Sequence, residues 1–387
     1  MEKVRIGIIG VGNMGRGHFE SIFTGKCPEL VVTAAADILP SRFDFIKNMA
    51  PEGSVTFFNT AEEMMDSGLI DAVIIAIPHY DHPKYAIAAF KRGLHVMCEK
   101  PAGVYTKQVR EMNQAAAQSD VVFGMMFNQR TNHIYRKMRE IIASGQLGAI
   151  KRTNWIATDW YRPQFYYDSG EWRATWAGEG GGVLLNQCPH NMDLWQWICG
   201  MPTTVSAHMY FGKWRDIEVE DDVTAFVEYE NGATGVFITT TADTPGTNRF
   251  EITCEKGKIV VEDGTLRVWE LEMSEPEFSK NNRTAIFGRP ACKEIEVTTD
   301  GQSKQHVQVL NVFAGAILHG TPLVASGEEG INGLMISNAM HLSAWLGKPV
   351  TLPLDEDLFY SELMKRVASS KVKENVVPTV ADTAKSY

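Results

Sequence analysis

Val4-Arg5-Ile6-Gly7-Ile8-Ile9 runs directly into Gly10-Val11-Gly12-Asn13-Met14-Gly15, and a helix-like segment, Arg16 to Phe23, follows. An apolar strand, then G-x-G-x-x-G, then a helix is the opening of a dinucleotide-binding unit. Each glycine has a physical task. Gly10 allows the tight turn, Gly12 lets the backbone approach a pyrophosphate, and Gly15 lets helix pack closely on strand. The N-terminal N–H groups of that helix and its dipole favour a negative group, where the pyrophosphate would sit.

A second strand-like run, Leu30 to Ala36, ends in Asp37. An acid about 20 residues beyond the last glycine is placed to bond the ribose hydroxyls of NAD. The same carboxylate repels a 2′-phosphate, so the sequence favours NAD over NADP, with Arg42 close enough to complicate that choice. The structural alternative for Asp37 is an N-cap ahead of Pro40.

The rest of the first third repeats the alternation. Strand-like runs end near Phe58, Ile77, Cys98 and Phe127, with helical segments between them. Continuous apolar runs such as Ala72 to Ile77 imply strands buried on both faces, hence a parallel sheet between helix layers. The expected fold class is α/β: a doubly wound Rossmann domain over residues 1–128, closing at Asn128.

From Lys151 the pattern changes to alternating strands: Arg152 to Thr158, Thr204 to Phe211, Val223 to Tyr229, Thr234 to Thr240, Arg249 to Cys254, Lys258 to Val261 and Leu266 to Leu271. Turns such as Glu230-Asn231-Gly232 and Glu262-Asp263-Gly264 signal hairpins. Residues 129–387 are therefore expected to form an α+β domain with a large, mostly antiparallel sheet. Helices are expected at Asn191 to Ile198, His306 to His319 and Gly330 to Trp345, and a polar surface loop over Met273 to Arg289.

Composition narrows the function classes. At 387 residues the chain exceeds one ordinary domain of about 150. A net charge of −10 without a basic block argues against nucleic acid or an anionic membrane as the main partner. The six cysteines (Cys27, Cys98, Cys188, Cys199, Cys254, Cys292) form no C-x-x-C pair and read as reduced thiols. The chain opens straight into its first strand, and no apolar run reaches about 18 residues. The cytoplasm is the expected location.

The residues that carry chemistry cluster at strand ends, where open α/β sheets bind ligands. The fifth strand ends in Glu99-Lys100-Pro101, so Lys100 is placed to hold a substrate oxygen beside a nicotinamide. Its bland alternative is a surface ion pair with Glu99. Pro101 fixes the backbone there, through a trans or a cis bond. The fourth strand ends in Ile77-Pro78-His79-Tyr80-Asp81-His82. That stretch reads as a loop edging the cofactor, with His82 opening the next helix. No third metal ligand accompanies its H-x-x-H spacing, and no metal is expected.

In the second domain, Glu179-Gly180-Gly181-Gly182 leads to Asn186-Gln187-Cys188-Pro189-His190 and on to Asp193. If Pro189 begins a helix, His190 and Asp193 share a face at i, i+3. A His oriented by a carboxylate is a competent base near neutral pH. The alternatives are a buried structural His and a zinc site from Cys188, His190 and Asp193, whose spacing fits no common zinc pattern. Upstream, Tyr161, Tyr166, Trp172 and Arg173 lie among acids and further aromatics. Rings stack on sugar C–H faces while charged groups bond hydroxyls. The same segment would also serve as an aromatic plug between domains.

Taken in order, the glycine loop, Glu99-Lys100-Pro101, Trp172-Arg173 with Thr175-Trp176, the glycine-rich segment ending in His190 and Asp193, and the late Leu352-Pro353 resemble the Gfo/Idh/MocA oxidoreductase family nearly end to end. The resemblance implies a Rossmann domain joined to an open-sheet domain, a sugar, inositol or glycoside as substrate, and dimers or tetramers assembled through that sheet. It implies that Lys100 is the active-site lysine and His190 the acid/base histidine, with Asp193 nearby. It places Glu99 and the His79 loop at the nicotinamide ribose. Cofactor contacts are accordingly expected from Gly10, Gly12, Asn13, Met14, Gly15, Asp37, Arg42, Ile77, Pro78, His79, His82, Glu99, Lys100 and Asn128. Substrate contacts are expected from Lys100, Tyr161, Tyr166, Arg173, Asn186 and His190. The family commonly carries an Asp four residues before the histidine, where this chain has Asn186. Asn bonds a hydroxyl but does not ionise, which leaves proton transfer to His190. Two rivals to simple oxidation follow: NAD-dependent glycoside cleavage through a transient keto-sugar, and a non-catalytic NAD or sugar sensor.

Overall fold

The computed structural model describes residues 3–373 and Val376; the extreme ends of the two expected domains lie outside the described residues. Six short parallel strands form the first sheet: β1 Val4–Ile9, β2 Leu30–Ala36, β3 Thr56–Phe58, β4 Ala72–Ile75, β5 His95–Cys98 and β6 Phe123–Met125. Their order is β3-β2-β1-β4-β5-β6. The chain reverses direction across the sheet between β1 and β4, which pair with Ile9 opposite Ile75. A crevice at such a switch point is where doubly wound sheets bind nucleotides. The central strands are apolar on both faces because helices cover both sides. Ile6, Ile8 and Ile74 are fully buried, as are Val73 and Ile75 on the other face.

Nine strands form the second sheet: β7 Ile150–Ala157, β8 Thr204–Phe211, β9 Glu220–Glu228, β10 Thr234–Thr240, β11 Asn248–Cys254, β12 Gly257–Glu262, β13 Thr265–Leu271, β14 Cys292–Ile295 and β15 Val350–Thr351. Pairing is antiparallel except between β7 and β10, which run parallel in the middle. The sheet is one-sided. In β9 the buried Val223, Ala225 and Val227 alternate with exposed Thr224, Phe226 and Glu228. The buried face carries the helices Pro189–Cys199 and Gly330–Leu346.

Two segments differ from expectation. Met273 to Arg289 contains a helix, Glu275–Asn281, started by Pro276 in its first turn with Glu275 and Glu277 beside the N-terminal N–H groups. The helix Gln305–His319 leaves the second sheet and packs on the first. Its Val309, Leu310, Phe313 and Ala314 join Val4, Ile6, Ile8 and Phe19 in one core. Asn311 Nδ2 donates to the Lys26 carbonyl at 3.0 Å, tying the helix to the turn before β2. Late sequence thus completes an early layer, because the β1–β2 face needs an apolar cover that local helices leave incomplete.

Among the described residues, no helix is long and apolar enough to cross a membrane.

Candidate active site

The glycine loop is built as its spacing demands. Gly10 has φ +92°, and a Cβ there would meet the Ala76 carbonyl at 2.4 Å. A Cβ on Gly15 would lie 1.9 Å from the Gly10 carbonyl oxygen. Gly12 differs: a Cβ there would meet nothing within 4 Å. The protein therefore needs the first and third glycines for its own packing, and the second opens onto free space. Gly12 is also the N-cap of the helix Asn13–Phe23 and offers no side-chain cap to its first N–H groups. A helix N-terminus without a side-chain cap, set over an open cradle, fits a pyrophosphate.

Asp37 follows β2 beside that cradle. Its Oδ2 accepts the Val11 N–H at 2.8 Å, and its Oδ1 accepts the Leu39 N–H at 2.9 Å. A carboxylate retains further acceptor positions for a ribose hydroxyl. Arg42 Nη1 stands 3.2 Å from Oδ2, with its side chain 43% exposed. The same corner therefore holds a ribose acceptor and an exposed cation suited to a 2′-phosphate.

Glu99 and Lys100 follow β5, and the Lys100–Pro101 bond is cis. Glu99 is buried against His18, with Nε2 to Oε1 at 2.7 Å. Burial alone would raise its carboxyl; the His18 bond and the nearby His18, His306 and Lys100 outweigh that and hold it at about 2. His306, from the helix that crosses over to the first sheet, is pushed down to about 4 by burial. Neither His18 nor His306 carries any signal in the sequence, since the two come together only through the fold.

Lys100 Nζ donates to the main-chain carbonyl of Asn186 at 3.1 Å. This bond joins the two halves of the site, which are 86 residues apart in the chain. Burial lowers the Lys100 ammonium, Glu99 and Glu179 restore part of the loss, and Arg162 and Arg173 lower it further.

His79 and His82 take different places. His82 lies between two carbonyls, Nδ1 to Pro101 at 2.7 Å and Nε2 to Ile77 at 2.8 Å. It is a strut linking the ends of β4 and β5. His79 is buried with its ring edge-on to Trp172, centroids 5.6 Å apart. Burial first, then His82 and Lys100, take it well below the usual histidine range. Asn128 is buried, and its Nδ2 donates to Gln305 Oε1 at 2.6 Å.

The glycine-rich segment is held by Glu220 at the start of β9, which accepts the Gly182 N–H at 2.8 Å and the Leu184 N–H at 2.9 Å. The glycines are needed for close approach: a Cβ on Gly182 would lie 2.1 Å from the Glu220 carbonyl. The helix Pro189–Cys199 then begins with proline in its first turn, as expected. His190 is buried in its first turn. Burial, then Lys100 and His306, bring it well below the usual histidine range, so the imidazole is neutral near pH 7.

The structure gives Asp193 a different partner from the one its helical spacing suggests. Arg130 takes both of its oxygens, Nε to Oδ2 at 2.8 Å and Nη2 to Oδ1 at 2.6 Å, with both side chains 1% exposed. Spacing on a helix puts His190 and Asp193 on one face, but the turn that leaves the first domain supplies a stronger, bidentate partner. The zinc alternative fails for the same reason, and Cys188 Sγ lies 3.2 Å from Thr239 Oγ1. Among the described residues, no group of three His, Cys, Asp or Glu is arranged to hold a metal ion.

The aromatic segment splits in two. Tyr166 and Arg173 reach the site: Arg173 Nη1 donates to the Tyr166 hydroxyl at 2.9 Å, with its guanidinium over the Trp172 ring at 4.6 Å. Tyr161 is 42% exposed at the rim, under Arg215. Sequence reasoning passed over Glu179, whose buried carboxylate binds the Asn186 side chain. The signal available was an acid next to the three glycines.

The fold and site define a two-domain oxidoreductase with an NAD-binding Rossmann domain. The chain belongs to the Gfo/Idh/MocA family: residues 4–127 match its oxidoreductase family NAD-binding Rossmann fold, and residues 135–260 match its C-terminal domain. A myo-inositol 2-dehydrogenase of Thermotoga maritima is 22% identical over 344 residues, 87% of this chain and 95% of that protein. The WlbA dehydrogenase of Bordetella pertussis, solved with NADH and UDP-GlcNAcA, is 24% identical with a TM-score of 0.78 over 92% of this chain and 99% of that one. A levoglucosan dehydrogenase solved with NADH and levoglucosan is 22% identical with a TM-score of 0.74 over 91% and 100%. At these identities the structural likeness shows the fold.

Proposed function

We propose that this protein oxidises a secondary hydroxyl of a sugar, cyclitol or glycoside, with NAD as hydride acceptor. The observation that carries the reading is the Lys100 to Asn186 bond. It puts a cation from a Rossmann strand end beside the segment that presents His190. Bound NAD supplies the hydride acceptor; the chain's residues do the rest. His190, neutral near pH 7, takes the hydroxyl proton. Lys100 stabilises the developing alkoxide electrostatically and keeps its own proton. Tyr166 and Arg173 orient the ring, and Asn186 bonds a neighbouring hydroxyl.

Relatives include inositol 2-dehydrogenases and a 1,5-anhydro-D-fructose reductase, which supports the substrate class. NAD is favoured over NADP by Asp37, and Arg42 is the residue that would admit the phosphate. Assembly as a dimer or tetramer is proposed through the open face of the second sheet, where Tyr210 and Phe226 are exposed. Light scattering of wild type against Phe226→Glu tests it. For the reaction, NAD reduction is followed with myo-inositol, glucose and methyl glucoside. Turnover by wild type, and its loss in Lys100→Ala and His190→Ala with NAD binding retained, supports the assignment. Near-wild-type rates in both variants refute it. Product formed without net NADH would favour the glycoside-cleavage alternative.

A further inference from the structure

Asn186 puts an amide at the cleft wall, and the fold brings a carboxylate to that amide from seven residues earlier. Glu179 is 2% exposed. Its Oε2 accepts the Ala174 N–H at 2.5 Å, and its Oε1 accepts from Asn186 Nδ2. Both carboxylate oxygens act as acceptors, although burial raises this carboxyl above its usual range, so the amide turns its nitrogen toward Glu179 and its oxygen away. Within 181–190 Asn186 is the one residue that is not buried. Its main-chain carbonyl already holds Lys100.

We propose that Glu179 is a positioning residue, holding Asn186 so that Oδ1 faces the substrate hydroxyls beside Lys100. This rests on the dehydrogenase reading above. The negative charge sits one hydrogen bond behind the cleft wall, and the wall itself presents a neutral acceptor. Around Glu179 stand Lys100, Arg173 and Lys373 as cations, Glu220 as a like charge, and the hydroxyls of Tyr166 and Tyr167. Protonation of Glu179 would let it donate, reverse the amide, and present Nδ2 to the substrate instead.

A purely structural role is the competing account, since Glu179 also anchors Ala174, which has φ 52°. Glu179→Gln separates the two. The substituted side chain keeps an acceptor for the Ala174 N–H but points an NH₂ at Asn186, which must then turn its oxygen inward. The positioning role predicts that Glu179→Gln lowers kcat/KM by about 10- to 100-fold, the effect of one misdirected hydrogen bond at a reacting group, with NAD affinity unchanged. It also predicts that Asn186→Asp in that background recovers at least about tenfold, because the new amide then donates to a carboxylate that again offers an acceptor to the cleft.

The experiment is the four-protein cycle (wild type, each single variant, the double), assayed by NAD reduction with myo-inositol, glucose and methyl glucoside from pH 6 to 9. In parallel, competitive acetylation of Lys100 is followed against pH by mass spectrometry. Glu179→Gln should move the Lys100 titration to lower pH, and the double variant should return it. Wild-type kinetics in Glu179→Gln, or a double variant no better than the single, refutes the positioning role. An unmoved Lys100 titration also refutes it. A wild type that turns over none of the three compounds refutes the dehydrogenase reading instead, and the Lys100 titration then still reports whether Glu179 and Asn186 act as a pair.

Discussion

Replacing Asp193 by Asn tests whether this carboxylate serves chemistry or architecture. Its helical spacing from His190 suggests an orienting role, and its contacts say otherwise. Arg130 and Asp193 form a bidentate pair with both side chains 1% exposed. Removing one partner of a buried pair costs about 3–5 kcal/mol because the other charge is left without compensation. Two features favour the lower end. Glu329 Oε2 stays 2.7 Å from Arg130 Nη1, and Asn retains one acceptor. In a 387-residue chain a loss of about 3 kcal/mol, at about 1–2 °C each, lowers the melting temperature by about 3–6 °C. Calorimetry measures it, and kcat is taken at about 20 °C, well below either transition, where it should stay close to wild type. An Arg130→Met, Asp193→Leu double variant should recover most of the lost stability, since a well-packed apolar pair substitutes for a buried ionic one. If Asp193→Asn melts within about 1 °C of wild type while kcat falls by about 100-fold, Asp193 orients His190 and the clamp reading is wrong.

The glycine loop separates folding from binding: Gly15→Ala should destabilise the protein, because its Cβ would sit 1.9 Å from a carbonyl oxygen, while Gly12→Ala should fold normally and bind NAD more weakly, as thermal melts and NAD titrations will show. Acid sensitivity should come in two phases. His306 and Glu99 both have folded values below their unfolded ones, so the unfolded chain binds more protons in between and stability falls as pH falls. The windows run from 6.5 to about 4 for His306 and from 4.5 to about 2 for Glu99. Urea midpoints that stay flat between about pH 7 and 4 would refute the first phase, and His306→Asn should lessen its slope without removing it, because buried His79 and His190 are also held well below the usual histidine range. At the ribose corner, Arg42→Ala should lower kcat/KM for NADP more than for NAD; an equal effect on both would mean that Arg42 does no more than brace Asp37.

Local physics made much of this protein readable from its sequence. Glycines, apolar runs and a following acid act over a few residues, so the cradle, its strands, Asp37 and the position of Lys100 at a strand end could all be inferred in order. Hairpin turns and two-residue alternation likewise located seven strands of the second sheet. What stayed hidden depends on contacts between distant segments. Helical spacing put Asp193 beside His190, but only the folded chain brings Arg130 there, and a bidentate guanidinium outcompetes a neighbouring ring. The helix Gln305–His319 looks like part of the second domain until the uncovered β1–β2 face claims its apolar stripe. His18, Glu99 and His306 meet from three remote elements. Asn186 read alone is a lost ionisable group; in the folded chain Glu179 places a carboxylate behind it. Sequence determines which residues form each element, because that choice is local. Tertiary structure decides which charges become partners, because burial makes each of them find one wherever the chain can supply it.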